Sequence, residues 1–273
     1  MVNAGMVPAG HGWEPPTFFR RPQLLCGNRH RRFGLLENGR YAFAARFSGI
    51  PIGVSEFTSA QRHYPIVFTG TAVQVPVVVT GLSGEENLFV TGQGDWQPGC
   101  YVPGLLRQYP FTLQPSADVE SASLMVDEDC PRFVDARVNA SARRLFDDEG
   151  EPSPLAQEML GLCHAALAEA ARTAMFTQAL QARRLLPERS IDIRFQDGTR
   201  HAVAGCRMID ADAFLRLPRD VVVDWHGRGW LHAISLHLAS QQNWSILVEM
   251  HAQHRAEGRR PDGEAGRNRP HDA

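Results

Sequence analysis

Residues 153–187 read SPLAQEMLGLCHAALAEAARTAMFTQALQARRLLP. Ser153 supplies an N-cap oxygen and Pro154 suits the first helical position, where its missing N–H costs nothing. Leu155, Met159, Leu162 and Ala166 recur on one face at helical spacing. Pro187 stops the run. The spacing predicts a long helix over 154–186, with an internal break left open. Nothing upstream has this character, so the chain changes type near residue 150.

Before that point the apolar runs are short and β-branched. Tyr41–Phe47, entered through the Asn38-Gly39 turn, reads as a strand, as do Ile66–Phe68 and Val75–Thr80. Pro76 makes the last an edge strand or a strand start. Val54–His63 reads as a helical turn or two, with Ser55 as its cap. Asn87–Thr91, Phe111–Leu113 and Ser123–Val126 look extended, and Pro103–Gln108 suits one helical turn. Downstream, Ile191–Phe195 and His201–Met208 flank Asp197-Gly198, the strongest hairpin signal in the chain. Ala211–Leu217 reads as a short helix or a turn, and Trp230–His254 contains a second long helix, whose first apolar stripe is Leu231, Ile234 and Leu238. The expected class is α+β: a mixed or antiparallel sheet in the N-terminal half, with helices and one β-hairpin in the C-terminal half. Residues 1–30 are expected to form an irregular arm, 31–254 a folded domain and 255–273 a disordered tail. Two subdomains meeting near residue 150 and one cooperative core both fit.

The chain has 273 residues, 43% of them hydrophobic, and a net charge of −2. Nothing in that balance calls for a polyanion, so no nucleic-acid partner is expected. All 28 cationic residues are arginines. The absence of lysine closes Schiff-base chemistry, lysine-anchored pyridoxal phosphate, the Walker A lysine and the kinase strand lysine. The five cysteines are scattered without a CxxC, as expected of reduced thiols in a cytoplasmic protein. The N-terminal thirty residues hold no signal-peptide apolar run, and no stretch approaches the about 20 residues a membrane helix needs.

Nucleophile elbows, dinucleotide loops, HExxH and EF-hand loops are all missing. Gly92-Gln93-Gly94 is followed by Gln97 where the third glycine of a dinucleotide loop belongs. Asp127-Glu128-Asp129 and the acidic run Asp147–Glu151 read as solvated turns rather than cation sites, the second just ahead of a helix start. No metal site and no cofactor is assigned. The late histidines are the remaining route to a metal, yet His232 and His237 point about 140° apart on a helix. His251 and His254 share a face beside the tail, at a fraying helix end. His63 or His201 could meet His226 only in space.

More distinctive is the segment Asp95-Trp96, Tyr101, Arg107, Tyr109-Pro110-Phe111. Buried Trp and Tyr keep a polar edge that needs a partner, and Arg stacks on rings and grips carboxylates. Trp96, Tyr101, Arg107 and Tyr109 are the candidate binding residues, as one wall of a peptide- or carboxylate-recognising surface. A self-packed aromatic loop, with Arg107 paired to a carboxylate such as Asp95, is the competing reading.

Several ordered segments resemble the SapC family: Tyr64–Phe68, Glu86–Val90, Asp95-Trp96, Tyr101–Pro103, Arg107–Phe111, Leu145–Ser153 and His237–Ser240. The resemblance spans about residues 24–250 and brings no established catalytic residues with it. The family is named after bacterial surface-layer loci. Its genes also lie near those for outer-membrane receptors, halogenases and cupin-like oxygenases. The resemblance therefore implies an accessory or binding protein for peptide or surface-polymer systems, with a protein or peptide partner. A metal-assisted enzyme acting on a peptide or glycan, using His63, His226 and His237, is the alternative.

Overall fold

The computed structural model describes residues 18–37, 41–70, 73–83, 85–114, 122–194 and 200–258. Its strands are β1 (Pro22–Leu24), β2 (Phe33–Leu35), β3 (Gly49–Pro51), β4 (Ile66–Thr69), β5 (Val75–Val79) and β6 (Phe111–Gln114), followed by β7 (Ser123–Asp127), β8 (Phe133–Asp135), β9 (Arg143–Arg144), β10 (Glu188–Arg194) and β11 (Arg200–Arg207). Its helices are α1 (Gly27–His30), α2 (Phe57–Ala60), α3 (Gly104–Gln108), α4 (Pro154–Ala182), α5 (Ala211–Leu215), α6 (Arg219–Gly227), α7 (Trp230–Ser240) and α8 (Asn243–Gly258). Single 3-10 turns occupy Ala42–Ala44 and Val54–Glu56. The class is α+β as expected, and every strand pairing is antiparallel.

The central sheet has the order β10-β11-β4-β5-β3, and two three-stranded sheets, β1-β7-β6 and β8-β2-β9, stand apart from it. All four residues of β4, and Pro76–Val79 of β5, are buried without alternation. An antiparallel strand that faces water on one side alternates, so this pair is covered on both. Pro76 falls at the start of a strand flanked on both sides, not at a sheet edge.

Apolar burial forms two clusters. One surrounds the central sheet and includes Phe57, Tyr64, Phe68, Phe89, Trp96, Phe176 and Leu180. The other gathers Phe18, Phe19, Tyr109, Phe111, Leu145, Leu155 and Cys163 around β1-β7-β6. The helix α4, 29 residues and about 44 Å long, links them. Its first turns bury Leu155, Ala156 and Cys163 in one cluster, and its last turns bury Thr173, Phe176, Thr177 and Leu180, with Phe176 and Leu180 in the other. The two buried faces differ by about 70° around the axis. A single stripe through Leu162 and Ala166 therefore fails: Ala166 is exposed. Ser153 caps the helix, accepting from the Ala156 N–H at 3.3 Å, and the helix ends at Ala182 rather than Leu186.

Several expectations are corrected. Tyr41–Phe47 is not a strand but a 3-10 turn whose rings pack sideways, Phe43 stacking on Tyr109 at 4.0 Å. Asn87–Thr91 is a turn with only the Val90–Trp96 bridge. The helix over 230–254 breaks at Gln241-Gln242. There Ser240 Oγ accepts from the Ile66 N–H at 3.1 Å, and Gln241 Nε2 donates to the Ile66 carbonyl at 2.8 Å. Strand β11 reaches β4 only at Arg207–Phe68, so these side chains satisfy backbone groups that no strand covers. Arg219–Gly227, unassigned from sequence, is helical and buries Val221 and Trp225 one turn apart. Within residues 1–30, Pro22–Leu24 form β1 and pair with β7. Helix α8 runs to Gly258, so His251 and His254 lie inside it rather than at a frayed end. The turns at Asn38-Gly39 and Asp197-Gly198, residues 1–17 and residues 259–273 lie outside the described residues.

Candidate binding site

The 3-10 turn Val54–Glu56 is pinned to α4 from the side. The Val54 N–H donates to Thr173 Oγ1 at 2.9 Å and the Ser55 N–H to Glu169 Oε1 at 2.8 Å. This anchors Glu56, whose Oε1 accepts from the Gly53 N–H at 2.7 Å. Its other oxygen, Oε2, accepts from the Gly104 N–H at 2.6 Å and from the Tyr101 hydroxyl at 2.9 Å. One carboxylate thus ties the turn to the start of α3 and to Tyr101. Gly53, not Ser55, is the N-cap. The spacing Gly53-x-x-Glu56, a glutamate three residues after the cap, was the readable signal.

Beneath Tyr101 lies a buried polar triangle. Trp96 Nε1 donates to the Tyr64 hydroxyl at 3.0 Å and to the Tyr101 carbonyl at 3.2 Å. The Tyr64 hydroxyl donates to the same carbonyl. Burial pushes the Tyr64 phenol far above its ordinary range, so it serves as a neutral donor. The Trp96 loop is closed by the Thr91 N–H to the Asp95 carbonyl at 2.8 Å and the Gln97 N–H to the Phe89 carbonyl at 2.7 Å. It turns at Gly94 (φ 81°), where an added Cβ would stand 3.0 Å from the Ala42 side chain.

On the outer side Arg107, exposed at the end of α3, donates from Nη2 to the Tyr101 hydroxyl at 3.2 Å. Its guanidinium carbon sits 5.6 Å from the centre of the Tyr101 ring. Burial and the neighbouring Glu56 push the Tyr101 phenol up to about 12, against the pull of Arg107. Tyr101 therefore stays protonated and keeps donating to Glu56 at neutral pH. Arg107 pairs with this phenol rather than with Asp95.

The four candidate residues do not form one surface. Trp96 and Tyr109 are buried, Tyr101 is half-buried and Arg107 exposed. Trp96, Tyr101 and Arg107 share the network above. Tyr109 belongs to the second cluster, where its ring meets Phe18 and Phe19 edge-on at 5.6 and 5.3 Å. Its hydroxyl donates to Asp127 Oδ2 at 3.0 Å.

Asp127 overturns the expectation of a solvated acidic turn at 127–129: it is fully buried. It also accepts from the Arg20, Arg21 and Asp129 N–H groups at 3.0, 2.8 and 3.2 Å. Glu128, beside it, bonds the buried His30 at 3.0 Å and pairs with Arg29 and Arg21. Burial alone would raise the Glu128 carboxyl, but His30 and the two arginines together bring it below its ordinary value. No sequence signal separated this cluster from the exposed one at 147–151.

The histidines have separate roles. His237 is fully buried against Phe68, its Nδ1 without a hydrogen-bond partner, and burial lowers it to about 3. His63 is half-buried beside the Tyr64 ring, and burial with the nearby Arg62 lowers it. His226 is exposed in the last turn of α6. His251 Nδ1 lies 2.8 Å from Glu86 Oε2, joining α8 to the Glu86 loop, and His254 Nε2 lies 3.8 Å from Glu86 Oε1. Among the described residues, no three His, Cys, Asp or Glu side chains are grouped to hold a metal ion, and no helix is long and apolar enough to cross a membrane.

Comparison with known proteins adds one match. The sequence profile of the SapC family covers residues 25–247, a span holding the central sheet, every strand of the other two sheets except β1, and the Glu56–Tyr101–Arg107 network. No curated protein and no solved structure matches the chain.

Proposed function

Since the chain belongs to the SapC family, we propose that it acts as an accessory binding protein for a peptide or polymer of a bacterial surface-layer or outer-membrane system, from the cytoplasm. The observation that carries this reading is the Tyr101–Arg107 pair. The ring and the guanidinium are held against each other at the surface. Buried Trp96, Tyr64 and the anchored Glu56 fix them from below. A pair ordered before binding loses little side-chain entropy when a partner arrives, which favours recognition of an acidic or aromatic peptide segment. Arg107 offers a guanidinium for a carboxylate and Tyr101 a ring for stacking. The five free cysteines, three of them buried, support a reducing compartment.

The test is quantitative co-purification from the cells that make the protein, comparing wild type with a Tyr101→Ala, Arg107→Ala double variant. Loss of specific co-purifying proteins or peptides, with far-UV circular dichroism unchanged, is the expected result. Equal recovery by both proteins would remove the pair from the interface.

A further inference from the structure

On the other side of the Val54–Glu56 turn, between the C-terminal half of α4 and the start of α7, lies a cavity of about 440 Å³. It shares no lining residue with the Tyr101–Arg107 pair. Its size is that of a small-molecule site. Val54, Ala233, Leu236 and the Trp230 ring supply apolar wall, with the half-exposed Met175 beside them.

The charge on that wall has one sign. Arg172 and Arg228 line the cavity, and among the described residues no carboxylate does. Their partners stand behind it. Arg172 spends Nε and Nη2 on Glu169 at 3.0 and 2.7 Å, and Arg228 spends only Nε on Asp224, at 2.9 Å. Arg172 Nη1 and both terminal nitrogens of Arg228 meet no acceptor among the described residues. The Arg228 guanidinium lies 5.0 Å above the Trp230 ring, which limits its rotation. Helix α7 begins on the same wall with Gly229 as its cap, and among the described residues no side-chain oxygen covers its first N–H groups. That end adds to the arginine field without being needed for it.

We propose that this cavity binds a small organic acid, its carboxylate on Arg228 and Arg172 and its apolar body against Trp230, Val54 and Leu236. Planar guanidinium forks match a carboxylate in geometry as well as charge. Each arginine is already half-compensated by its own acid, so a monoanion suits the site better than a dianion, whose second charge would stand unpaired near apolar wall. The apolar surface gives a bare ion nothing to bury. This inference goes beyond the partner-binding reading and stands without it.

The experiment follows the Trp230 indole N–H resonance of the ¹⁵N-labelled full chain, resolved from the other tryptophans by triple-resonance assignment. The protein is titrated with phenylacetate, with uncharged phenylacetamide and with inorganic phosphate. A saturable Trp230 shift with phenylacetate is expected. The dissociation constant should rise at least about tenfold for phenylacetamide and in the exposed Arg228→Gln and Arg172→Gln variants. No saturable shift with phenylacetate would overturn the proposal. So would equal binding of the amide, or a stronger response to phosphate than to phenylacetate.

Discussion

Replacing Asp127 by Asn removes one charge and turns one acceptor into a donor at the centre of the second cluster. Asp127 is fully buried, and each of its oxygens serves two donors: Oδ1 the Arg21 and Asp129 N–H groups, Oδ2 the Arg20 N–H and the Tyr109 hydroxyl. Whichever oxygen becomes the amide nitrogen, two donors face a donor. The least damaging arrangement puts the amide at the Oδ2 position, where the Tyr109 hydroxyl can turn and accept. The Arg20 N–H is then orphaned at a cost of about 1–3 kcal/mol, and the bonds that survive change from charge-assisted to neutral. Together these give a loss of about 3 kcal/mol, a large share of the roughly 5–15 kcal/mol typical of a folded protein. Tyr109→Phe removes a single hydrogen bond and should cost about 1–2 kcal/mol. Urea unfolding followed by far-UV circular dichroism reads both variants, the midpoint falling at unchanged slope. A loss below about 1 kcal/mol for Asp127→Asn, or one smaller than that of Tyr109→Phe, would show that this carboxylate does not organise the cluster.

Two further outcomes follow from the geometry. His237 is neutral when folded, lowered to about 3 by burial, whereas the unfolded chain protonates near 6.5. The unfolded state therefore binds more protons over that interval, and stability present above pH 6.5 is lost as pH falls towards 3. At pH 5 the loss is about 2 kcal/mol. Urea midpoints at pH 7 and pH 5 should converge in a His237→Leu variant relative to wild type, and an unchanged difference would assign the acid sensitivity elsewhere. Gly161 sits inside α4 with nothing within 4 Å of an added Cβ. Gly161→Ala should stabilise by about 0.5–1 kcal/mol, measured by calorimetry, because alanine loses less backbone entropy on entering a helix. A decrease in stability would mean that this face of α4 is covered.

The elements that were legible are those whose local signals agree. Ser153 and Pro154 mark the start of α4 by chemistry that acts within one turn, and the structure keeps that start. The valine run of β5 and the apolar run of β4 are short, β-branched and bounded by turns, and they form buried strands as expected; that they pair with each other is a finding of the structure. Where the reading failed, a distant contact outweighed local preference. Arg219–Gly227 carried no assignment from sequence, yet helix α6 forms, with Val221 and Trp225 on one face and packed inward. Trp230–His254 looks continuous, yet it breaks at Gln241-Gln242, where the Ser240, Gln241 and Asn243 side chains cover backbone at Gln61, Tyr64 and Ile66. The candidate residues show the same division. Trp96, Tyr101 and Arg107 do meet, but Glu56, which organises them, lies 45 residues before Tyr101. Tyr109, adjacent in the list of aromatics, belongs to another cluster.

Read alone, the chain determined the α+β class, the chemistries closed by the absence of lysine, the SapC resemblance and the start of its longest helix. These depend on composition, on order along the chain, or on forces acting across one or two turns. Only the folded structure decided that Asp127 of one acidic triplet is buried while another acidic run is solvated, that α4 joins two apolar clusters, and that two arginines share a cavity wall with no acid among the described residues lining it. Burial and convergence bring together groups as far apart as Val54 and Leu236, and no local propensity encodes the distance between them.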